Sequence, residues 1–193
     1  MSFRSAILGI ALALVLGGGA QARSFTSTVT ESPEITQIRP EFKRPEEPGQ
    51  LFYVQRSPNS NTVIYAARLD AKGAIQSRDP VEAFWRKFNI DGSKQPLNFI
   101  ERMMAYGVRV DRVKAGTPVT FTIAALPERK LTLNLDSNKR PQALIQIGGR
   151  TVKLAYVYLH VVEGGLMPSV PELDIFGTDI ASGKAVHEHL VQK

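Results

Sequence analysis

The chain contains three histidines and no cysteine, so metal chemistry would rest on imidazole and carboxylate ligands alone. His187 and His189 are separated by one residue in an alternating segment. On a strand, that spacing puts both rings on one face. With His160 they form an imidazole set of the kind that holds zinc. No histidine-and-carboxylate helix motif accompanies them, and the pair lies near the chain end. The expectation is therefore an exposed edge strand, with no metal ligand assigned. Asp111, Glu163, Glu172 and Asp174 lie on or beside predicted strands. Two carboxylates serve glycoside hydrolysis, but no spacing here singles out an acid and a nucleophile, and surface charge on outward faces is expected.

The polar set Gln55, Arg56, Asn59 and Asn61, with Glu101, Arg102 and Tyr106, is the best candidate for specific binding. An arginine grips a carboxylate or phosphate bidentately, asparagine both donates and accepts, and tyrosine adds a flat surface with a polar tip. A structural role competes: Glu101 or Arg102 bridging to Arg56 or to a carboxylate, with the asparagines closing a turn. Nucleophilic catalysis finds no support, because no nucleophile elbow is present and Ser182-Gly183 reads as a turn. Phosphate-loop and dinucleotide signatures are also missing, and the expected cofactor is none.

Strands must position these groups. Val119, Phe121, Ile123 and Ala125 alternate with smaller or polar residues, as do Leu131, Leu133 and Leu135, and then Ala143, Ile145 and Ile147. Turn residues fall between them at Pro127-Glu128-Arg129, Asp136-Ser137-Asn138 and Gly148-Gly149. Flanking hairpins are expected from Leu51–Arg56 with Thr62–Leu69, and from Glu172–Asp179 with Lys184–Val191. Tyr106–Val113 adds a strand, and Thr151–Glu163, apolar on both faces, reads as central or as wrapping between layers. One helix is expected between Pro96 and Ala105, with an Asn98/Glu101 capping box and an apolar stripe of Leu97, Ile100, Met103 and Met104 for core packing. Residues 79–88 suit either a helix or a strand. The fold class is mainly β: an antiparallel β-sandwich or open β-barrel with a meander and one short helix.

Organisation along the chain is plain. Arg4, the apolar run Ala6–Leu16, three glycines and Ala20-Gln21-Ala22 have the form of a cleaved signal peptide over residues 1–22. Export to the periplasm or the outside, with no integral membrane insertion after cleavage, is the expectation. Residues 23–48 hold four prolines and read either as an extended arm or as a segment whose Phe25, Ile35, Ile38 and Phe42 find pockets. Residues 49–193 form a single β-rich domain. The 193 residues are 43% hydrophobic with net charge +6, which excludes a disordered tail and a multi-pass membrane protein. The basic residues are scattered, so no nucleic-acid partner is expected.

Leu51-Phe-Tyr-Val-Gln-Arg-Ser, Asn59, Asn61–Tyr65, Asp79-Pro-Val, Trp85, Ile100-Glu-Arg and Ala105–Val108 form an ordered pattern. It returns at Ile175–Asp179, Ser182-Gly-Lys184, Val186 and Glu188. In this it resembles an exported bacterial family of unknown function, DUF4833-like, over roughly Gly49 to Leu190. The resemblance implies a mainly β exported domain and tilts residues 81–88 toward strand; it carries over no catalytic role. Together these readings point to a noncatalytic binding or envelope-interaction module whose partner is an envelope component or a small ligand. The alternative is a carboxylate-dependent hydrolase acting on an envelope polysaccharide or another polymer.

Overall fold

The structure, a computed structural model, describes residues 25–111, 118–164 and 168–193. The predicted signal peptide, and the end of the strand predicted to reach Val113, lie outside the described residues. Strands hold 56% of the described residues and helical turns 5%, and the sheet curls into an open half-barrel, as the mainly β reading requires.

In chain order the strands are β1 Phe25–Ser32, β2 Gln50–Arg56, β3 Thr62–Ala67, β4 Val81–Arg86, β5 Lys94–Pro96, β6 Val108–Val110, β7 Val119–Ile123, β8 Leu126–Leu135, β9 Pro141–Ile147, β10 Arg150–Val162, β11 Ser169–Asp179 and β12 Ala185–Gln192. They form one sheet with the path β5-β4-β3-β2-β10-β9-β8-β7-β6. A branch leaves β10 through β11 and β12 to β1. The branch follows from the length of β10. Its first residues, Arg150–Lys153, pair antiparallel with β9, whereas Tyr156–Leu159 pair parallel with β2. β11 runs along its other edge. One strand thus feeds two diverging arms of sheet, which is why its sequence is apolar on both faces.

Residues 81–86 are a strand rather than a helix. Phe84 pairs with Ile64 and Trp85 with Val63, so both faces of the segment are buried against different clusters. The turn expected at Pro127–Arg129 is displaced: the chain reverses at Ala124-Ala125, and residues 127–129 already belong to β8. Gly148 and Gly149, both at positive φ, form the two-residue β9–β10 turn. Gly177 answers a different demand. It faces Leu154 where β10 bulges, and a Cβ there would lie 2.4 Å from the Lys153 carbonyl oxygen.

The expected helix is two short pieces, an α-turn Phe99–Glu101 followed by a π-helical turn Arg102–Tyr106. The capping box is present: Asn98 Oδ1 accepts from Glu101 N at 2.8 Å, and Glu101 Oε2 accepts from Asn98 N at 2.8 Å. The core-packing role given to its apolar stripe holds only for Leu97; Ile100, Met103 and Met104 are exposed. The two turns are too short to lay a long face on the sheet, and their anchors are the flanking Leu97 and Tyr106.

Of the two readings of residues 23–48, packing is the one observed over residues 25–48, except that Ile38, expected to find a pocket, stays exposed. Phe25–Ser32 pairs along β12, Phe42 is buried, and Ile35 packs on a cluster containing Tyr53, Phe84, Tyr156 and Phe176. Tyr156 Oη donates to Thr36 O at 2.8 Å and accepts from Ile38 N at 3.2 Å, tying this segment across the sheet. The larger core, with Phe52, Val54, Tyr65, Leu131, Ile145 and Val157, fills the opposite face.

Candidate metal centre

β12 is not an edge, because it pairs with both β11 and β1. That corrects the expectation for His187 and His189 and places them inside a continuous sheet face. In the β11–β12 register Phe176 faces His187 and Asp174 faces His189. On β10, Tyr156 faces Phe176, Tyr158 faces Asp174, and His160 faces Glu172. Three adjacent strands therefore carry Asp174, His160, His187 and His189 to one place.

The contacts are close. Asp174 Oδ1 lies 2.6 Å from His187 Nε2 and 2.8 Å from His189 Nδ1, while Oδ2 lies 2.6 Å from His160 Nε2. Each is a hydrogen bond in the tautomer that carries hydrogen on that nitrogen, with the ring donating and the carboxylate accepting. The Asp174 side chain is buried, and each imidazole is about one-third open to solvent. The His187 ring is set by a stack running across four strands. Tyr53, Tyr156, Phe176 and His187 follow one another with centroid separations of 5.2, 4.4 and 4.3 Å and nearly parallel planes. His160 packs edge-on against Tyr158 at 4.9 Å.

Burial alone would raise the Asp174 carboxyl, but the hydrogen bonds from His187, His160 and His189 outweigh it and bring its pKa to about 2. The carboxyl is thus held ionised in an apolar wall. Because the folded value lies below the ordinary aspartate value of 3.8, these contacts stabilise the fold above that value. The contribution is lost as pH falls toward 2. The expected result is a thermal midpoint that declines between about pH 4 and pH 2, with a shallower decline over that window in Asp174→Asn.

Asp174, His187 and His189 offer one donor atom each, all within 4.8 Å of one another. Two ligands of a tetrahedral zinc, each at 2.0–2.2 Å, stand about 3.4 Å apart. A movement of less than about 1 Å opens the hydrogen-bonded contacts to that spacing. Two imidazoles and a carboxylate make a three-ligand set with open positions, suited to a divalent first-row metal. His160, on the other carboxylate oxygen, is placed to orient Asp174 as an outer partner does in metal sites.

The binding cluster expected from the sequence is dispersed. Asn59 Oδ1 accepts from Asn61 N at 3.1 Å and so closes the turn, whereas Asn61 Oδ1 accepts from Asn89 N at 3.3 Å and ties this turn to the segment after β4. Glu101 caps the helical turn, and Arg102 lies on its exposed side. Arg56 and Tyr106 do come together. Burial raises the Tyr106 hydroxyl pKa, and the Arg56 guanidinium partly opposes that rise. The carboxylate within reach of Arg56 is Glu163, at 4.0 Å, rather than Glu101. Gln55 is buried, donating to Lys43 O at 3.3 Å. Of the other carboxylates considered for hydrolysis, Asp111 pairs with Lys130, while Glu172 lies 3.9 Å from Nε2 of His189, the imidazole whose Nδ1 meets Asp174.

The fold and site define a half-barrel β protein with a histidine–aspartate cluster on one sheet face. The chain belongs to the family described as a domain of unknown function (DUF4833), whose model matches residues 52–189. No curated protein and no solved structure matches the chain. The matched residues contain Asp174 and all three histidines.

Proposed function

We propose that this protein is an exported binding module that captures a divalent transition-metal ion, with zinc the foremost candidate. The observation that carries the proposal is the convergence of Asp174, His187 and His189 within 4.8 Å on adjacent strands. The ionised carboxylate supplies the negative charge, and the imidazoles supply nitrogen donors. The aromatic stack under His187 pre-orients one ring, which lowers the entropy lost on coordination. Export rests on Arg4, the apolar run and Ala20-Gln21-Ala22. Among the described residues no helix is long and apolar enough to cross a membrane.

A second reading is a metal-assisted hydrolase acting on an envelope polymer. It is favoured by one feature: three protein ligands leave positions open for water and substrate.

Calorimetric titration of the metal-free protein with zinc tests the first reading. One equivalent is expected to bind, and zinc held at about 100 times its dissociation constant should raise the melting temperature by about 5–10 °C. His189→Ala is expected to weaken binding by about 100-fold or more, because it removes an inner ligand. An absence of binding heat together with an unchanged melt would refute the proposal.

A further inference from the structure

The helical segment that the sequence assigns to the core instead turns its large apolar side chains outward. Phe99 is 69% exposed, Ile100 66%, Met103 56% and Met104 55%. The segment is nonetheless firmly held. Leu97 and Tyr106 on either side of it are buried, the capping box fixes its start, and Tyr65 Oη donates to Tyr106 O at 2.9 Å at its end. The anchored segment thus presents four large apolar side chains to solvent within one helical stretch, an exposure that proteins seldom leave without a use.

Charge identifies the occupant. Phe99 and Met103 share a depression of about 330 Å³ with Arg102, Val108 and Arg109, and no carboxylate lines it. Neither arginine has an ion-pair partner among the described residues. The neighbouring strand β6 lies at the end of the sheet path, so the patch sits at a margin of the fold. A second copy of the chain meeting this surface about a two-fold axis would bring arginines of like charge together, which costs affinity. An anionic lipid bilayer satisfies both features. Apolar side chains enter the boundary between headgroups and acyl chains, while guanidinium groups stay at phosphate level.

We infer that Phe99–Met104, with Arg102 and Arg109 at phosphate level, is a peripheral docking surface for an anionic membrane. It is independent of the histidine–aspartate cluster.

Co-sedimentation with vesicles tests this. The full chain, after removal of its export segment by the producing cell, is mixed with vesicles of equal parts phosphatidylglycerol and phosphatidylcholine, or of phosphatidylcholine alone. Binding is expected to the anionic vesicles and to weaken with added salt. Ile100→Ser with Met103→Ser should lower partitioning at least tenfold with an unchanged thermal melt, since both side chains are exposed. Arg102→Gln and Arg109→Gln should each lower it by about fivefold on anionic vesicles only. Failure of the wild type to sediment would overturn the inference, as would equal sedimentation of the serine double variant. Self-association abolished by the serine variant, without vesicle binding, would assign the patch to a second copy and also overturn it.

Discussion

Replacing Asp174 with alanine is expected to abolish high-affinity zinc binding and to destabilise the metal-free fold. The carboxylate is buried and accepts from three imidazoles, so its loss leaves three ring nitrogens without their common partner. Breaking a fully buried ionic contact costs about 3–5 kcal/mol. Each imidazole here is about one-third open to water, which re-solvates part of what is lost, so about 2 kcal/mol is the expected destabilisation. Denaturant unfolding gives that figure, and zinc titration of the same variant reads the metal arm. Asp174→Asn separates the two effects. It keeps one acceptor oxygen, which at the Oδ1 position serves both His187 and His189, and so recovers part of the stability, but it lacks the charge that a divalent ion requires. Full zinc affinity in either variant would remove Asp174 from the ligand set.

Gly177→Ala is expected to be among the most destabilising single changes in the protein, although it adds one methyl group. The new Cβ would meet the Lys153 carbonyl oxygen at 2.4 Å and Val152 Cγ1 at 2.4 Å, with the Lys153 carbonyl carbon at 3.1 Å. The first contact is backbone and cannot rotate away. Relief requires prising β11 from β10 at the bulge between Leu154 and Tyr156. Overpacking of that kind costs about 3 kcal/mol, or about 10 °C in melting temperature for a domain of this size. Because β11 also carries Asp174, the variant tests whether strand placement and the metal site are coupled. A melt within about 2 °C of wild type would show that the bulge accommodates a side chain.

Much of the sheet is legible in the sequence because alternation records which face is buried. The meander residues Val119, Phe121, Leu131, Leu133, Ala143 and Ile145 are all buried. The helical turn was visible through its capping box, but period alone could not say which side met the core, and Ile100 and Met103 face out. The site is a mixed case. His187 and His189 announce a shared face by spacing, and a hairpin turning at Ala181-Ser182-Gly183 already sets Asp174 opposite His189. His160 joins them by residue type alone, and its position beside them is not readable from spacing, since the β10–β11 register shifts twice, between Leu154 and Tyr156 and between His160 and Val162. Nor could a local pattern show that β1 covers β12, a pairing between residues more than 150 positions apart. The Arg56 set is only partly brought together, for a related reason. Its members are joined by residue type across two separate stretches of sequence, and the fold spends Asn59 on a turn, Asn61 on a contact with Asn89 and Glu101 on a cap.

The most direct measurement is an anomalous-difference map at the zinc edge from crystals grown with one equivalent of zinc. The predicted result is a single strong peak at about 2.0–2.2 Å from His187 Nε2, His189 Nδ1 and an Asp174 oxygen, with His160 retained on the other carboxylate oxygen. A map with no peak between β11 and β12, or with zinc bound elsewhere while Asp174 keeps all three imidazole contacts, would contradict the metal-binding reading.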